Sequence, residues 1–190
     1  MERRQYLKAT SITATGGLMT LAGCSSSGTQ SDNGDSTSES QHTTDSSGEA
    51  TGDSNTVLMV TEGSQYYFDP IGLFVETGDT VTFKIRSGNH SATAYQKGNG
   101  PASVTRIPDG AQAFDSGTLS ERGATFQYTF ETTGTFDYYC LPHKTLGMVG
   151  RIVVGKPGGP AEGSMPPDGK VPKSETIVDN GRISSSDFSR

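Results

Sequence analysis

The sequence predicts an all-β domain in residues 56–156, built as an antiparallel Greek-key β-sandwich of seven or eight strands. Apolar and polar residues alternate in several short segments of this region, and no apolar stripe of helical period occurs there. Turn signals such as TGD, RSGN, ERG and TTG separate several of the segments. Many short strands within about 100 residues are typical of a sandwich. A disordered tether is expected before the domain, and a Pro/Gly-rich extension after it.

The first residues predict an export signal and a lipid anchor. RRQYLK resembles a twin-arginine signal, and the weakly apolar stretch after it is shorter than the about 20 residues that span a bilayer. LAGC resembles a lipobox, so residues 1–23 are expected to be a removed signal peptide and Cys24 to carry lipid. This predicts a position on the outer face of the cell membrane. The alternative is a chance Arg pair and a cysteine that belongs only to the signal.

Residues 24–55 are predicted to be a disordered tether between the lipid and the domain. They contain no Phe, Tyr, Trp, Lys or Arg, and they carry six acidic residues. Such a segment cannot bury enough apolar surface to offset its ordering entropy. A flexible leash of this kind suits a domain that is anchored at a membrane.

The charge distribution excludes one class of partner. Residues 56–156 hold nine acidic and eight basic residues, a net charge of −1, and most of the overall charge of −6 comes from the tether. The predicted domain therefore has no basic face for phosphate, and nucleic acid is excluded as a partner. We expect a monomer.

Each predicted strand is assigned from its alternation. In DTVTFKIRS, the residues Val81, Phe83 and Ile85 share one face. ATFQYTF places three aromatic residues together in the same way. Further candidates are TVLMVT, IGLFVET, HSATAY and GMVGRIVVG. Residues 96–115 are predicted to be a loop with room for a short helix.

The segment GTFDYYC gives its cysteine a direction. Phe136, Tyr138 and Cys140 alternate on the inward face, whereas Asp137 and Tyr139 lie on the opposite face. If the lipobox cysteine carries lipid, the inward thiol has no disulfide partner. An unpaired cysteine in an exported protein needs something to hold it, and a metal ion would do so.

Three other residues complete a soft ligand set with Cys140. His143 and Met148 follow it closely, and His90 is the only other histidine of the predicted domain. One thiolate, two imidazoles and a weak thioether suit a copper ion in a blue copper electron-transfer centre. Zinc is the chemical alternative, but a structural zinc site requires a fourth strong donor in place of Met. Taken singly, the residues could be a core Met, two polar His and a buried free thiol.

This arrangement resembles that of the type I copper proteins, the plastocyanin/azurin group of cupredoxins. The resemblance rests on the motif Cys140-x2-His143-x4-Met148, on the upstream triplet NHS and on VETGDTVTF. HSATAY, RIPDGAQAFDSG and FDYYCLPHKTLGMVGRIVVG are most similar to halocyanins, the membrane-anchored blue copper proteins of halophilic archaea. The resemblance covers about 100 of the 190 residues and the lipobox, and it implies a cupredoxin-like sandwich with one copper ion.

The resemblance also implies a role for each ligand. Cys140 would supply the strong thiolate bond, and His90 would be the buried imidazole. The edge of His143 would reach the surface and pass electrons, and Met148 would be the long axial ligand. The backbone N–H of Ser91 would bond the cysteine sulfur.

Residues around these ligands are assigned by the same resemblance. Asn89 and Pro142 belong to the surroundings of the metal, and Pro142 has no N–H to offer to the sulfur. An apolar docking patch is expected around His143, formed by Leu141, Pro142, Leu146 and Gly147. Tyr139, predicted to face outward, is a candidate second electron port, with an ordinary exposed tyrosine as the alternative. The triplet NHS also fits a glycosylation pattern, which we reject because His90 must face the metal.

The leading hypothesis is a lipid-anchored carrier of single electrons, whose donor and acceptor are membrane redox complexes. We do not expect an enzyme, because a multicopper oxidase needs further histidines and a binuclear copper centre needs two cysteines in its loop. A copper carrier or scavenger at the cell surface is the alternative from another class. It predicts easy metal loss and a solvent-exposed thiolate. A metal-free adhesion module is a third possibility that the inward Cys140 disfavours.

Residues 157–190 form the C-terminal extension, which holds five of the nine prolines. This composition predicts a flexible or wrapping segment rather than a second domain. Its segment SETIVDNGRISS could pair on an edge of the sandwich.

Overall fold

The computed structural model describes residues 55–189, and in this range it contains nine β-strands and one short α-helix. The strands are β1 Thr56–Glu62, β2 Gln65–Asp69, β3 Gly72–Val75, β4 Thr80–Ile85, β5 Thr93–Ala94, β6 Thr125–Thr129, β7 Gly134–Tyr139, β8 Val149–Val154 and β9 Arg182–Ile183. One sheet has the order β2-β1-β4-β6, and the other has the order β5-β7-β8-β3-β9. The prediction of an all-β sandwich is confirmed. The predicted signal peptide, the lipidated Cys24 and all of the tether but its last residue lie outside the described residues.

Strand pairing is mixed rather than wholly antiparallel. The strands β1 and β2 form an antiparallel hairpin, and β7 and β8 also pair antiparallel. In contrast, β1 pairs with β4 in parallel, and β3 pairs with β8 in parallel. Side chains alternate with a period of two in either direction of pairing. The sequence pattern therefore predicts these strands but not the two parallel pairings.

The apolar core lies between the sheets and continues past the end of β7. In β4, the side chains of Val81, Phe83 and Ile85 are at most 1% exposed, whereas Lys84 on the opposite face is exposed. Cys140, directly after β7, is fully buried and belongs to the same apolar cluster. Burial of apolar surface fixes which face of each strand turns inward, because a slip of one residue would expose the whole set. It thereby places the Cys140 side chain inside the sandwich.

The C-terminal extension wraps along the second sheet. Its helix α1, Ser174–Asn180, buries Ile177 fully. After the helix, β9 pairs antiparallel with β3 at the sheet edge. The segment SETIVDNGRISS therefore pairs at the sheet edge, as it could be expected to do. Before that strand it forms about two turns of helix, which the sequence pattern does not predict.

A buried ion cluster, formed by Asp137, Arg106 and Arg151, joins the second sheet to this extension. Asp137 lies on the outer face of β7 and is fully buried, with Arg106 Nε 2.7 Å from its Oδ2 and Arg151 Nε 2.7 Å from its Oδ1. Both guanidinium groups also donate to the carbonyl oxygen of Ala161 in the extension, at 2.8 and 3.0 Å. Each buried charge is thus paired and hydrogen-bonded, as burial of charge requires.

Two further differences from the sequence prediction concern β2 and the long loop of residues 96–115. The sequence pattern does not predict β2, although its aromatic residues and the turn at Gly63 before it are a hairpin signal. Residues 96–115 contain turns and one isolated bridge, from Asp115 to Thr93, and no helix is found in that described stretch. Within residues 55–189, no helix has the length and apolar character that crossing a membrane requires.

Candidate metal centre

Residues 140–148, called the ligand loop, connect β7 to β8 and are held together by their own backbone. The carbonyl oxygen of Cys140 accepts the N–H of His143 at 3.2 Å, and the Cys140 N–H donates to the carbonyl oxygen of Met148 at 3.1 Å. The carbonyl oxygen of His143 accepts the Met148 N–H at 3.2 Å. A 3₁₀ turn, Lys144–Leu146, lies between them. These hydrogen bonds close the loop on itself independently of any metal ion.

His90 reaches the same place from a distant part of the chain. It is fully buried, and two backbone hydrogen bonds join it to Leu119. Its Nε2 lies 2.9 Å from the carbonyl oxygen of Ser87 and 3.0 Å from Oγ1 of Thr61. A carbonyl oxygen only accepts, so Nε2 carries the proton and Nδ1 keeps a lone pair. A metal ion bound at Nδ1 requires this tautomer.

Three donor atoms converge where His90 meets the ligand loop. Nδ1 of His143 lies 3.4 Å from Sγ of Cys140, and Nδ1 of His90 lies 3.6 Å from the same sulfur. The three ligand atoms all lie within 4.8 Å of one another. In the part of the chain that the structure describes, no Asp, Glu or further His joins this group. The fourth strong donor of a structural zinc site is therefore missing from this part of the chain.

A chain of hydrogen bonds fixes the sulfur through Ser91. The backbone N–H of Ser91 donates to Sγ of Cys140 at 3.4 Å. Its Oγ accepts the N–H of Leu141 at 2.7 Å and lies 2.9 Å from Oγ1 of Thr93, which donates to Asp115 at 2.9 Å. Ser91 therefore holds both the sulfur and the peptide that follows it. Such outer partners orient a ligand and tune its basicity.

Burial sets the protonation states of the three donors. It lowers the pKa of His90 to about 4, and it also lowers the pKa of His143. Burial raises the pKa of Cys140, an effect that the backbone N–H groups of Ser91 and His143 partly offset. The two imidazoles are therefore neutral at neutral pH, as metal ligands must be, whereas the thiol needs a cation in place of its proton. This donor set fits a copper ion.

Of two further residues predicted at the metal centre, Met148 is buried and Asn89 is exposed. Met148 is fully buried in the apolar cluster that contains Cys140, so its thioether lies within the core near the end of the loop. Asn89 is exposed, unlike the adjacent His90. In the described residues, no hydrogen bond joins the Asn89 side chain to the donor cluster.

The ligand loop also presents an apolar surface beside His143. His143 itself is half-buried. Leu146 is 61% exposed, which is unusually high for a large apolar side chain. The other members of the predicted docking patch are exposed or half-buried: Leu141, Pro142 and Gly147. Exposed apolar surface of this kind is typical of an interaction site.

Tyr66 in β2 is a neighbour of the centre that the sequence does not predict. Its ring stacks on the imidazole of His143, with 3.8 Å between centroids and 14° between planes. The stack covers one face of the imidazole and restricts its rotation. Recognition of the hairpin between β1 and β2 would have placed Tyr66 at the edge of the first sheet, but not at this distance from a ligand loop.

The prediction that Tyr139 faces solvent is wrong. Tyr139 is fully buried in a second apolar cluster with Tyr95 and Val171. Its hydroxyl donates to the carbonyl oxygen of Asn99 at 2.7 Å, and burial raises its pKa to about 12. Alternation correctly places Tyr139 opposite Cys140. The loop after β5 and the C-terminal extension cover that face, so Tyr139 offers no port at the surface.

A β-sandwich with a buried sulfur and two neutral imidazoles at one end defines a class of mononuclear metal-binding proteins whose donors suit copper. A sequence profile described as copper binding proteins, plastocyanin/azurin family, matches residues 54–155. That match covers more than half of the chain, and the chain belongs to this family. Family membership confirms the predicted copper cofactor and the expectation that the chain is not an enzyme.

Several individual proteins are similar to this chain. Chloroplastic plastocyanin from Oryza sativa subsp. indica is 32% identical over 98 residues, which are 52% of this chain and 61% of that protein. Halocyanin from Natronomonas pharaonis is 30% identical over 105 residues, 55% of this chain and 58% of that protein. The chain thus spans less than two thirds of the length of these two relatives. A solved Sinorhizobium pseudoazurin is 27% identical, with a TM-score of 0.43 over 66% of this chain and 91% of that one.

Proposed function

We propose that this protein carries single electrons on one copper ion, with Cys140, His90 and His143 as strong ligands and Met148 as a weak axial one. The observation that carries the proposal is the convergence of the three strong donor atoms within 4.8 Å of one another. Copper, when bound, supplies a one-electron couple between its cuprous and cupric states. This ligand set is the one found in blue copper electron-transfer centres.

The residues around the ligands support a role in electron transfer because they restrict ligand movement. His90 is held through Nε2 by the Ser87 carbonyl oxygen, and Ser91 bonds both the sulfur of Cys140 and the peptide N–H of Leu141. A site whose ligands stay in place in both oxidation states needs little reorganisation when an electron arrives. Preorganised donors of this kind lower the barrier without further rearrangement.

The burial of the sulfur favours an electron carrier over a copper carrier or scavenger. A protein that hands its ion to a partner needs a thiolate that the partner can reach. Cys140 is 0% exposed, and the loop that carries it is closed by its own hydrogen bonds. We therefore expect slow exchange of bound copper with chelators and reversible one-electron cycling. Fast loss of copper without cycling would instead support the scavenger.

We place the route of the electron at the edge of His143. This imidazole is the half-buried ligand, and the apolar residues Leu146 and Pro142 are exposed beside it. An apolar patch lets a redox partner approach closely and leave again quickly, since small apolar contacts give short-lived complexes. The partners that we propose are membrane redox complexes, one as donor and one as acceptor.

Attachment to the outer face of the cell membrane through Cys24 is the remaining part of the proposal. It is supported by the order of RRQYLK, LAGC and the acidic, Ser/Thr-rich segment in the sequence. Lipid labelling of cells that produce the full chain tests it directly. Label is expected on the wild-type protein and not on a Cys24→Ser variant, which should then leave the membrane fraction.

The copper proposal is tested by adding Cu(II) to the purified protein and recording visible and EPR spectra. We expect an intense blue charge-transfer band with narrow copper hyperfine splitting, because a cysteine thiolate donates strongly to the cupric ion. Cys140→Ser should abolish the colour. A colourless, redox-silent wild-type protein after loading would refute the proposal.

The axial role of Met148 has its own test. Met148→Leu is expected to keep the blue colour and to raise the reduction potential, because a weak donor to Cu(II) is removed while the apolar volume is retained. Cyclic voltammetry of the two proteins measures the difference. An unchanged potential would show that the thioether does not contact the ion.

A further inference from the structure

The C-terminal extension touches the ligand loop at one carboxylate. Oδ2 of Asp168 lies 2.5 Å from Nζ of Lys144, the residue that follows His143. The same oxygen accepts the hydroxyl proton of Tyr95 at 2.6 Å. One side chain of the extension is therefore bonded both to the loop that carries the predicted ligands and to the residue that follows β5.

This ion pair is shielded from solvent. The side chains of Lys144 and Asp168 are only 13% and 16% exposed. The Lys144 ammonium also lies over the rings of Tyr95 and Tyr139, 5.7 and 5.5 Å from their centroids. A shielded charge-assisted hydrogen bond is stronger than an exposed ion pair, and cation–π contacts add to it. Lys144 is consequently fixed from two sides, and only Asp168 comes from the extension.

The backbone of the extension also passes close to the loop. A Cβ atom at Gly169 would lie 3.0 Å from the carbonyl oxygen of Gly147 and 2.8 Å from Cγ2 of Val149. A Cβ at these distances would force the neighbouring atoms to shift, so glycine suits this close passage of the chain. Gly147 itself ends the 3₁₀ turn with φ of 85° and directly precedes Met148. The extension therefore packs against the loop between two of the predicted ligands.

From these contacts we infer that Asp168 is a positioning residue of the metal centre. It holds Lys144, and with it the segment from His143 to Met148, in the ligand-bearing conformation before a metal ion binds. The inference rests on the proposed function, because it takes the loop to be the copper-binding loop. The C-terminal extension would then do more than cover the sheet. Among the described residues, Asp168 is the only part of the extension that pairs with a charged side chain of this loop.

The first test uses the metal-free protein and needs no copper. Hydrogen–deuterium exchange is measured at the Gly147 and Met148 amides, whose N–H groups donate to carbonyl oxygens inside the loop. Asp168→Asn keeps an acceptor for Tyr95 but loses the charge, and it should speed exchange at both amides about tenfold. Asp179→Asn, an exposed carboxylate of the same extension, is the matched control and should change nothing.

A second variant tests the close backbone approach without altering charge. Gly169→Ala should speed exchange at the same two amides, because the added Cβ pushes the extension away from Gly147. Gly158→Ala is its control, since a Cβ at Gly158 would meet nothing within 4 Å. The inference is overturned if Asp168→Asn leaves the loop amides as slow as in the wild-type protein, whatever the result for Gly169→Ala.

The copper-loaded protein gives an independent reading. Transfer of copper to an excess of chelator should be about five to ten times faster from Asp168→Asn than from the wild type, because a loosened loop opens more often. If the wild-type protein binds copper and turns blue, and Asp168→Asn releases copper at the same rate as the wild type, the inference is contradicted while the proposed function stands. A wild-type protein that takes up no copper would contradict the proposed function, and the exchange of the metal-free loop would still decide the role of Asp168.

Discussion

The outer faces of the two sheets differ in their exposure to solvent. In β6 of the first sheet, the outer residues Thr125, Gln127 and Thr129 are exposed, as a half-buried strand predicts. In β7 of the second sheet, all six residues are buried, although Asp137 on its outer face is charged. Polar side chains thus occupy corresponding positions in both strands, but only those of the first sheet meet water.

This difference shows that alternation identifies the inward face of a strand. It does not indicate whether the outer face is exposed to solvent or covered by another segment. The second sheet is covered by the C-terminal extension, and the polar groups beneath that cover bond one another or the backbone of the extension. Thr135 Oγ1, for example, donates to Glu162 of the extension at 2.5 Å. Buried polar groups are tolerated where such partners exist.

The largest effect on stability is expected from Asp137→Ala. This change leaves the guanidinium groups of Arg106 and Arg151 buried without their carboxylate, so the free energy of unfolding should fall by about 3–5 kcal/mol. Urea unfolding monitored by circular dichroism measures it. Gln127→Ala on the first sheet is the control and should stay within about 0.5 kcal/mol of the wild type. Equal losses in the two variants would mean that the second sheet is not covered.

Much of the metal centre could be predicted because its signals are local. Cys140, His143 and Met148 lie within nine residues, and alternation gives the sulfur its inward direction. The neighbours of these ligands depend on contacts between segments far apart in the sequence. Tyr66 stacks on His143 across 77 positions, and Asp168 pairs with Lys144 from the extension. No periodicity within a single segment reports such contacts.

The fold shows the same limit. Strand patterns predict the sandwich, but they cannot predict that β1 pairs with β4 in parallel, because a parallel pair has the same side-chain period as an antiparallel one. The burial of Tyr139 could not be predicted either, since its cover is formed by Asn99, Ala102 and Val171 from two separate segments.

A smaller effect is expected where the extension docks through apolar contacts. Ile177→Ala in α1 removes a fully buried side chain and should lower the free energy of unfolding by about 2–4 kcal/mol. Val178→Ala, one residue later and 37% exposed, should change it by less than about 0.5 kcal/mol. Thermal unfolding of the two variants compares them directly. Similar values for the pair would indicate that α1 does not pack on the sheet in solution.

Tyr139→Phe is expected to have a still smaller effect. It removes the buried hydrogen bond to the Asn99 carbonyl oxygen and should cost about 1 kcal/mol of stability. Tyr128→Phe on β6 also removes a hydrogen bond to a carbonyl oxygen, at 2.6 Å from Gln112, but an exposed one. Its cost should stay below about 0.5 kcal/mol, because water replaces the lost partner. Electron exchange should be equally fast in both variants, and a marked slowing in Tyr139→Phe alone would restore that residue as an electron port.

The smallest effect on stability and a clear effect on function are expected together at Leu146. This side chain is 61% exposed, so Leu146→Asn should leave the free energy of unfolding within about 0.5 kcal/mol of the wild type. Electron self-exchange between copper-loaded copies, measured by NMR line broadening, should nevertheless slow about fivefold, because an apolar contact at the proposed docking surface is lost. Val104→Asn, at a residue 39% exposed outside the ligand loop, is the matched control and should exchange at the wild-type rate. If Leu146→Asn also exchanged at that rate, electrons would have to leave by a surface other than the one beside His143, and the uncovered first sheet would become the next place to look.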